Sequence, residues 1–158
     1  MSLKVLLVLP IREGKNFQVT PDCGILYLGT VLQNQGFEVV LLDCPKEKMT
    51  FQDFGDFVLE GDFDVIGFRC YSRDHNYVKH HLRIIKSLDP GILTLAGGPH
   101  TSSLPDFVLS VMPNLDFAWK AEAEEGLGKF LHLFEEHGIE MPEEELEKIF
   151  KKVWIPVC

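Results

Sequence analysis

Polar and aromatic side chains crowd into Arg69-Cys70-Tyr71-Ser72-Arg73-Asp74-His75-Asn76-Tyr77, directly after a short apolar run. Tyr71 and Ser72 offer hydroxyl donors to a bound ligand, and Ser72 and Asp74 equally suit the capping of a helix. His75 has the side chain of a metal ligand or a base, but an isolated loop histidine reads first as an exposed one. A second cluster, Ala96-Gly97-Gly98-Pro99-His100-Thr101-Ser102, places two glycines where a backbone can approach a flat or bulky ligand. A third is the stretch from Pro10 to Asp22, which holds Arg12, Gly14, Lys15 and Asn16 and runs on through Thr20-Pro21-Asp22-Cys23-Gly24. Strand-to-helix connections usually take about two to six residues, so a longer one points to function. The fourth, Glu122-Ala123-Glu124-Glu125, puts acids at the opening of a helix, where the dipole alone favours them.

Several chemistries are excluded by what these loops lack. GxxxxGK[ST] and GxGxxG are absent, so phosphate-loop and dinucleotide readings have little support. GxSxG and HExxH are absent too, and no cysteine can be matched with a histidine as a nucleophile pair. A phospho-acceptor receiver domain carries paired acids after its first strand, whereas here that strand ends in Pro10. The four cysteines, Cys23, Cys44, Cys70 and Cys158, form no CxxC or CxxxCxxC, so neither zinc nor an iron–sulfur cluster is indicated in this chain. Cys44 and Cys70 end apolar runs and read as buried free thiols.

The elements that must position these loops are legible from hydrophobic patterning. Apolar runs at Lys4–Pro10, Glu38–Cys44, Asp64–Tyr71, Ile92–Gly97 and Leu115–Ala121 read as strands. The first four show little alternation, as expected of strands covered on both faces of a parallel sheet. Helical spacing separates them: Ile25, Leu28 and Leu32; Val78, Leu82, Ile85 and Leu88; Leu127, Phe130, Leu131 and Phe134. His80 and His81, adjacent within the third helix, read as surface residues. Gly36 and Gly138 stand where helices end, Asp89-Pro90-Gly91 breaks the third helix from the fourth strand, and Ser103 can cap a helix opening with Pro105 and Asp106. Strands alternating with helices imply right-handed crossovers and an α/β, doubly wound, five-stranded parallel sheet of flavodoxin-like order 2-1-3-4-5. Ligands in such sheets bind outside the carboxyl ends of the strands, at the switch point between strands one and three. Residues 1–138 form this domain. Residues 139–158 add a C-terminal helix or linker, with Leu146, Ile149, Phe150 and Val153 on its apolar face. The apolar end Trp154-Ile155-Pro156-Val157-Cys158 reads as the cut edge of a longer chain or as a segment docked on the core.

Bulk properties fit one domain: 158 residues, 46% hydrophobic and 25% charged. The net charge of −9 argues against nucleic acid, which needs a basic surface. No apolar run approaches the roughly 20 residues of a membrane span, and no signal sequence is visible, so a cytoplasmic protein is expected.

Together, five stretches resemble the cobalamin-binding N-terminal domain of B12-dependent radical S-adenosylmethionine enzymes, a group that includes the anaerobic magnesium-protoporphyrin IX monomethyl ester oxidative cyclase and many methyltransferases. They are KVLLVLP, PDCGILYLGTVLQNQGFEVVLLDC, DVIGFRCYSRDHNYV, LAGGPHTSSLPDFVL and LDFAWKAEAEEGLGKFL, spanning about Lys4 to Leu133 in the family's order. Ala121-Glu122-Ala123-Glu124 stands where the family carries G-E-G-E, so both glycines are replaced. The resemblance implies a cobalamin-binding module with Arg12, Gly24, Tyr71, Ser72, Gly97, Gly98, Pro99, His100 and Glu122 as cofactor contacts and no catalytic or metal-ligating residue of its own. The first loop has no D-x-H-x-x-G histidine, so it supplies no cobalt ligand, and the cofactor's tail base is expected to leave the cobalt and run into the helix layer. Gly67, within the third strand, suits close passage of that tail. The [4Fe-4S] cluster and S-adenosylmethionine belong, on this reading, to a C-terminal radical domain that this chain lacks. Two other readings stay open. One is a flavodoxin-like binding or interaction domain without cobalamin, docking a partner through its acidic C-terminal helix. The other is a flavin or nucleotide site at the same sheet edge.

Overall fold

The computed structural model describes residues 2–13, 22–142 and 144–146 in full, and 153–154 as backbone. Gly14, Lys15, Asn16, Thr20 and Pro21 of the first loop, and Ile149, Phe150 and Cys158 of the C-terminal segment, lie outside the described residues. The chain runs β1 (Lys4–Leu9), α1 (Cys23–Asn34), β2 (Glu38–Asp43), α2 (Phe51–Gly61), β3 (Val65–Arg69), a 3₁₀ turn (Ser72–Asp74), α3 (His75–Leu88), β4 (Leu93–Gly97), α4 (Pro99–Ser103), α5 (Pro105–Val111), β5 (Phe117–Trp119), α6 (Leu127–His137) and β6 (Val153–Trp154).

The sheet order is β2-β1-β3-β4-β5-β6. The first five strands are parallel in the expected 2-1-3-4-5 order, with Val5 paired to Val39 and Val65, and Val65 to Leu93. The sixth is a finding that patterning missed: Val153 and Trp154 pair antiparallel with Trp119 and Ala118. Val153 therefore belongs to an edge strand rather than to the apolar face of a C-terminal helix. A two-residue edge strand is too short a stretch of chain to show periodicity, and it covers the open edge of β5. β5 is shorter than expected because the backbone turns at Ala121, whose φ is +62°.

Strand alternation divides the core in two. Leu6, Val8, Ile66, Phe68, Ala96 and Ala118 face α2, α3 and α5, joining Phe54, Val58, Val78, Leu82, Ile85 and Val108. Val5, Leu7, Leu9, Val65, Leu93, Leu95, Phe117 and Trp119 face α1 and α6, joining Ile25, Leu32, Phe130 and Leu131. The second layer holds the candidate site.

Local signals start and stop the helices. Asp22 accepts from Ile25 N–H at the start of α1, and Thr50 and Asp53 form a reciprocal capping box on α2. Gly36 and Gly138 take the positive φ values expected of helix ends. Ser103 is not a cap. Pro99 starts a short helix that consumes residues 99–103, and Leu104 precedes α5 without a side-chain cap. Asp74 likewise makes no cap bond to α3.

His81 is buried, against the expectation of a surface residue. It lies three residues after Val78 on the inward face of α3, ringed by Phe51, Phe54 and Phe68. Its Nδ1–H donates to Tyr77 O at 2.7 Å, and its Nε2 faces Ile11 N–H at 3.5 Å. Burial holds its pKa down at about 4, so the ring is neutral at pH 7.

Candidate cofactor site

The carboxyl ends of β1, β3, β4 and β5 open into a cavity of about 460 Å³ between the sheet and the α1–α6 layer. Its floor is built by period-2 alternation: Val5 and Leu7 of β1, Gly67 of β3, Leu95 of β4 and Trp119 of β5 point to the same side. Gly67 leaves the middle of that floor without a side chain. It pairs with Leu7 on one side and Leu95 on the other, and a Cβ added to it would sit 3.3 Å from Leu7 Cδ2. Gly24, Ile25 and Leu28 of α1 form one wall and Leu127 of α6 the other. The rim consists of Gly97, Gly98, Pro99 and Ser102 after β4, and Ala121 to Glu124 after β5. A volume of this size with apolar walls suits a small-molecule group, since such sites span about 300–1,000 Å³.

The rim is tightly made. Gly98 has a φ of +101°, and a Cβ there would lie 3.0 Å from Cys70 O, so no other residue fits without strain. Ser102 Oγ accepts the Ala121 N–H at 3.0 Å, tying the loop after β4 to the loop after β5. Trp119 Nε1 donates to Glu122 O at 3.3 Å. The acids of this last loop do not open a helix, because α6 begins only at Leu127 with no acid in its first turn. Glu122 and Glu124 line the cavity rim instead.

Beside the cavity lies a polar network. Arg12 Nε and Nη2 donate to the two oxygens of Asp74 at 2.7 and 3.0 Å, and Asp74 is fully buried. Asp74 also accepts Tyr71 N–H at 3.2 Å. The bidentate pair fastens the first loop to the third. Ser72 Oγ lies 3.1 Å from His100 Nδ1, and His100 Nε2 lies 3.0 Å from His75 Nδ1. His75 is thus neither lone nor freely exposed: it starts α3 half-buried, stacks on Phe107 and has its pKa lowered by burial, His100 and Lys79. The Cys44 and Cys70 thiols are free and buried as expected, burial pushing each pKa up to about 12.

The expected contact residues therefore fall into two groups. Gly24, Gly97, Gly98, Pro99 and Glu122 line the cavity, while Arg12, Tyr71, Ser72 and His100 belong to the adjoining network. Sequence reasoning missed Ser102, Arg69, Trp119 and the α1 face Ile25–Leu28 as cavity walls. Strand alternation could have found Arg69, which lies two residues beyond Gly67 on the same side.

The family model described as B12 binding domain matches residues 15–131. The chain is 25% identical over 126 residues to the uncharacterized methyltransferase PH0819 of Pyrococcus horikoshii, covering 77% of this chain and 27% of that protein. Two solved structures of the cobalamin-dependent S-adenosylmethionine radical enzyme OxsB share the fold. One has aqua-cobalamin and S-adenosylmethionine bound, with a TM-score of 0.69, and the other aqua-cobalamin alone, with a TM-score of 0.74. Each is 20% identical, over 85% of this chain and 19% of that one. This chain thus spans about a quarter of the curated relative's length and about a fifth of OxsB's.

Proposed function

The chain belongs to the B12 binding domain family, and from that premise we propose that it holds cobalamin with the nucleotide tail in the Gly67 cavity and the corrin ring on the loops at the carboxyl edge. The carrying observation is the cavity itself. A sheet–helix layer is normally close-packed, and here about 460 Å³ stays open over a glycine in the middle of β3, beneath a two-glycine rim. Apolar walls suit a flat tail base, and the Gly97–Gly98 backbone suits close passage of a bulky ring. Gly24, Pro99 and Glu122 contribute from the rim, with Arg12, Tyr71, Ser72 and His100 beside it. No histidine of this chain takes the cobalt on this reading. When bound, cobalamin supplies the cobalt that transfers a methyl group or exchanges electrons, and the protein's part is to bind, orient and shield it.

We further infer that residues 1–138, with β6 of the 139–158 segment on the sheet edge, are the cobalamin module of a longer enzyme, of the methyltransferase or oxidative cyclase type, that carries a radical S-adenosylmethionine domain. The iron–sulfur cluster and S-adenosylmethionine would sit there. A cytoplasmic setting suits such a module, and no helix among the described residues is long and apolar enough to cross a membrane.

Titration with hydroxocobalamin tests the reading. Saturable binding is expected, with the visible spectrum of a displaced tail base. Gly67→Val is expected to weaken it at least tenfold while leaving the fold intact, because Val suits a strand and its side chain would take the floor on which the tail is proposed to rest. Unchanged binding by Gly67→Val would remove the tail from this cavity.

A further inference from the structure

We propose that Arg69 recognises the phosphodiester of the cobalamin tail and makes this chain select cobalamin over tail-less corrinoids. The inference rests on the cavity reading above and deepens it. Arg69 ends β3 on the same side as Val65 and Gly67, so strand alternation aims it into the cavity mouth. Among the described residues lining the cavity it is the one cation, set in walls that are otherwise largely apolar.

Its guanidinium is held before any ligand arrives. Nη1 donates to Asp22 Oδ1, Nη2 donates to the Tyr71 hydroxyl at 2.6 Å, and the Tyr71 ring lies 5.0 Å from the guanidinium carbon. A guanidinium carries five N–H donors, and among the described residues these two bonds use two of them. Gly24 makes room for the group: a Cβ there would lie 2.8 Å from Nη1. Asp22 is committed as well, since its Oδ1 also accepts the Ile25 N–H that starts α1. Ion pair, ring and glycine thus fix a half-buried planar cation, with donors to spare, at one height in the cavity.

That height matches the chemistry of the ligand. In cobalamin a phosphodiester monoanion separates the tail base from the corrin side chain that bears it. A base lodged against Gly67 and a ring on the edge loops leave that monoanion between them, at the level where β3 ends. Glu122 and Glu124 stand on the opposite rim, which leaves Arg69 as the group able to receive an anion. A planar fork of donors suits a phosphate better than a point charge does.

The test titrates wild type, Arg69→Met and Arg69→Lys with three probes: hydroxocobalamin, cobinamide phosphate and aquacobinamide. Binding is read from visible spectra, and folding from circular dichroism. Arg69→Met is expected to weaken the two phosphate-bearing probes at least tenfold and to leave aquacobinamide within threefold. Arg69→Lys is expected to lie between. Equal weakening of all three probes, or no weakening, overturns the role of Arg69 while leaving the cavity reading in place. Weakening of hydroxocobalamin alone also overturns it, since the base rather than the phosphate would then be the contact. Failure of wild type to bind any of the three would overturn the cobalamin reading, and the proposal with it.

Discussion

Arg12 shows how a side chain with the right chemistry for a ligand can also fasten two loops together. Its Nε and Nη2 donate to the two oxygens of Asp74, which is completely buried and has no solvent to fall back on. Removing one partner of a buried pair leaves the other charge stranded. Arg12→Met is therefore expected to lower unfolding stability by about 3 kcal/mol, measured by urea denaturation. His81 gives a second prediction with a definite sign. Its folded pKa is lowered to about 4 from an ordinary 6.5, so below pH 6.5 the unfolded chain binds the proton that the fold refuses. Stability is unaffected by His81 above pH 6.5 and is lost as pH falls from there to about 4, by roughly 3 kcal/mol in total. Urea midpoints measured across that range check it, and His81→Leu should flatten the decline. The residue scale was only half legible in the sequence. Gly97, Gly98 and Pro99 stand out because glycine pairs have few uses, but neither the burial of His81 nor the His75–His100 contact follows from local spacing, since each depends on what another loop brings.

Elements place the loops, and here the strand signals served best. Four apolar runs with little alternation read as strands covered on both faces, which holds for β1, β3 and β4 but not for the edge strand β2, whose Glu38 and Leu41 are exposed. The sheet–helix cavity itself was foreshadowed by Gly67 alone, because an empty space has no residue type. The loop after β5 is where sequence and structure pull apart. Ala121 holds a φ of +62°, a backbone state that suits glycine, and Ser102 fixes it there through the Ala121 N–H. Alanine thus stands here in a backbone state that favours glycine. Ala121→Gly is accordingly expected to raise stability by about 1 kcal/mol, read as a higher thermal midpoint, with the rim geometry unchanged.

At the scale of the whole molecule, alternation of strands and helices pointed to a parallel sheet, for which 2-1-3-4-5 was the preferred order and is the one found, whereas nothing pointed to the antiparallel β6, two residues of a segment with no period. The order puts β1 and β3 side by side at the switch point. That adjacency lets Arg12 of the first loop reach Asp74 of the third, and sets Gly67 beside Leu7 in the cavity floor. The proposed function requires one arrangement, with the cobalamin tail inside the fold and away from the cobalt and no histidine in its place. Electron paramagnetic resonance of bound cob(II)alamin examines that arrangement directly. A spectrum without nitrogen superhyperfine splitting is the result expected. Resolved nitrogen triplets would contradict it, placing either the tail base or a histidine such as His75 or His100 on the metal.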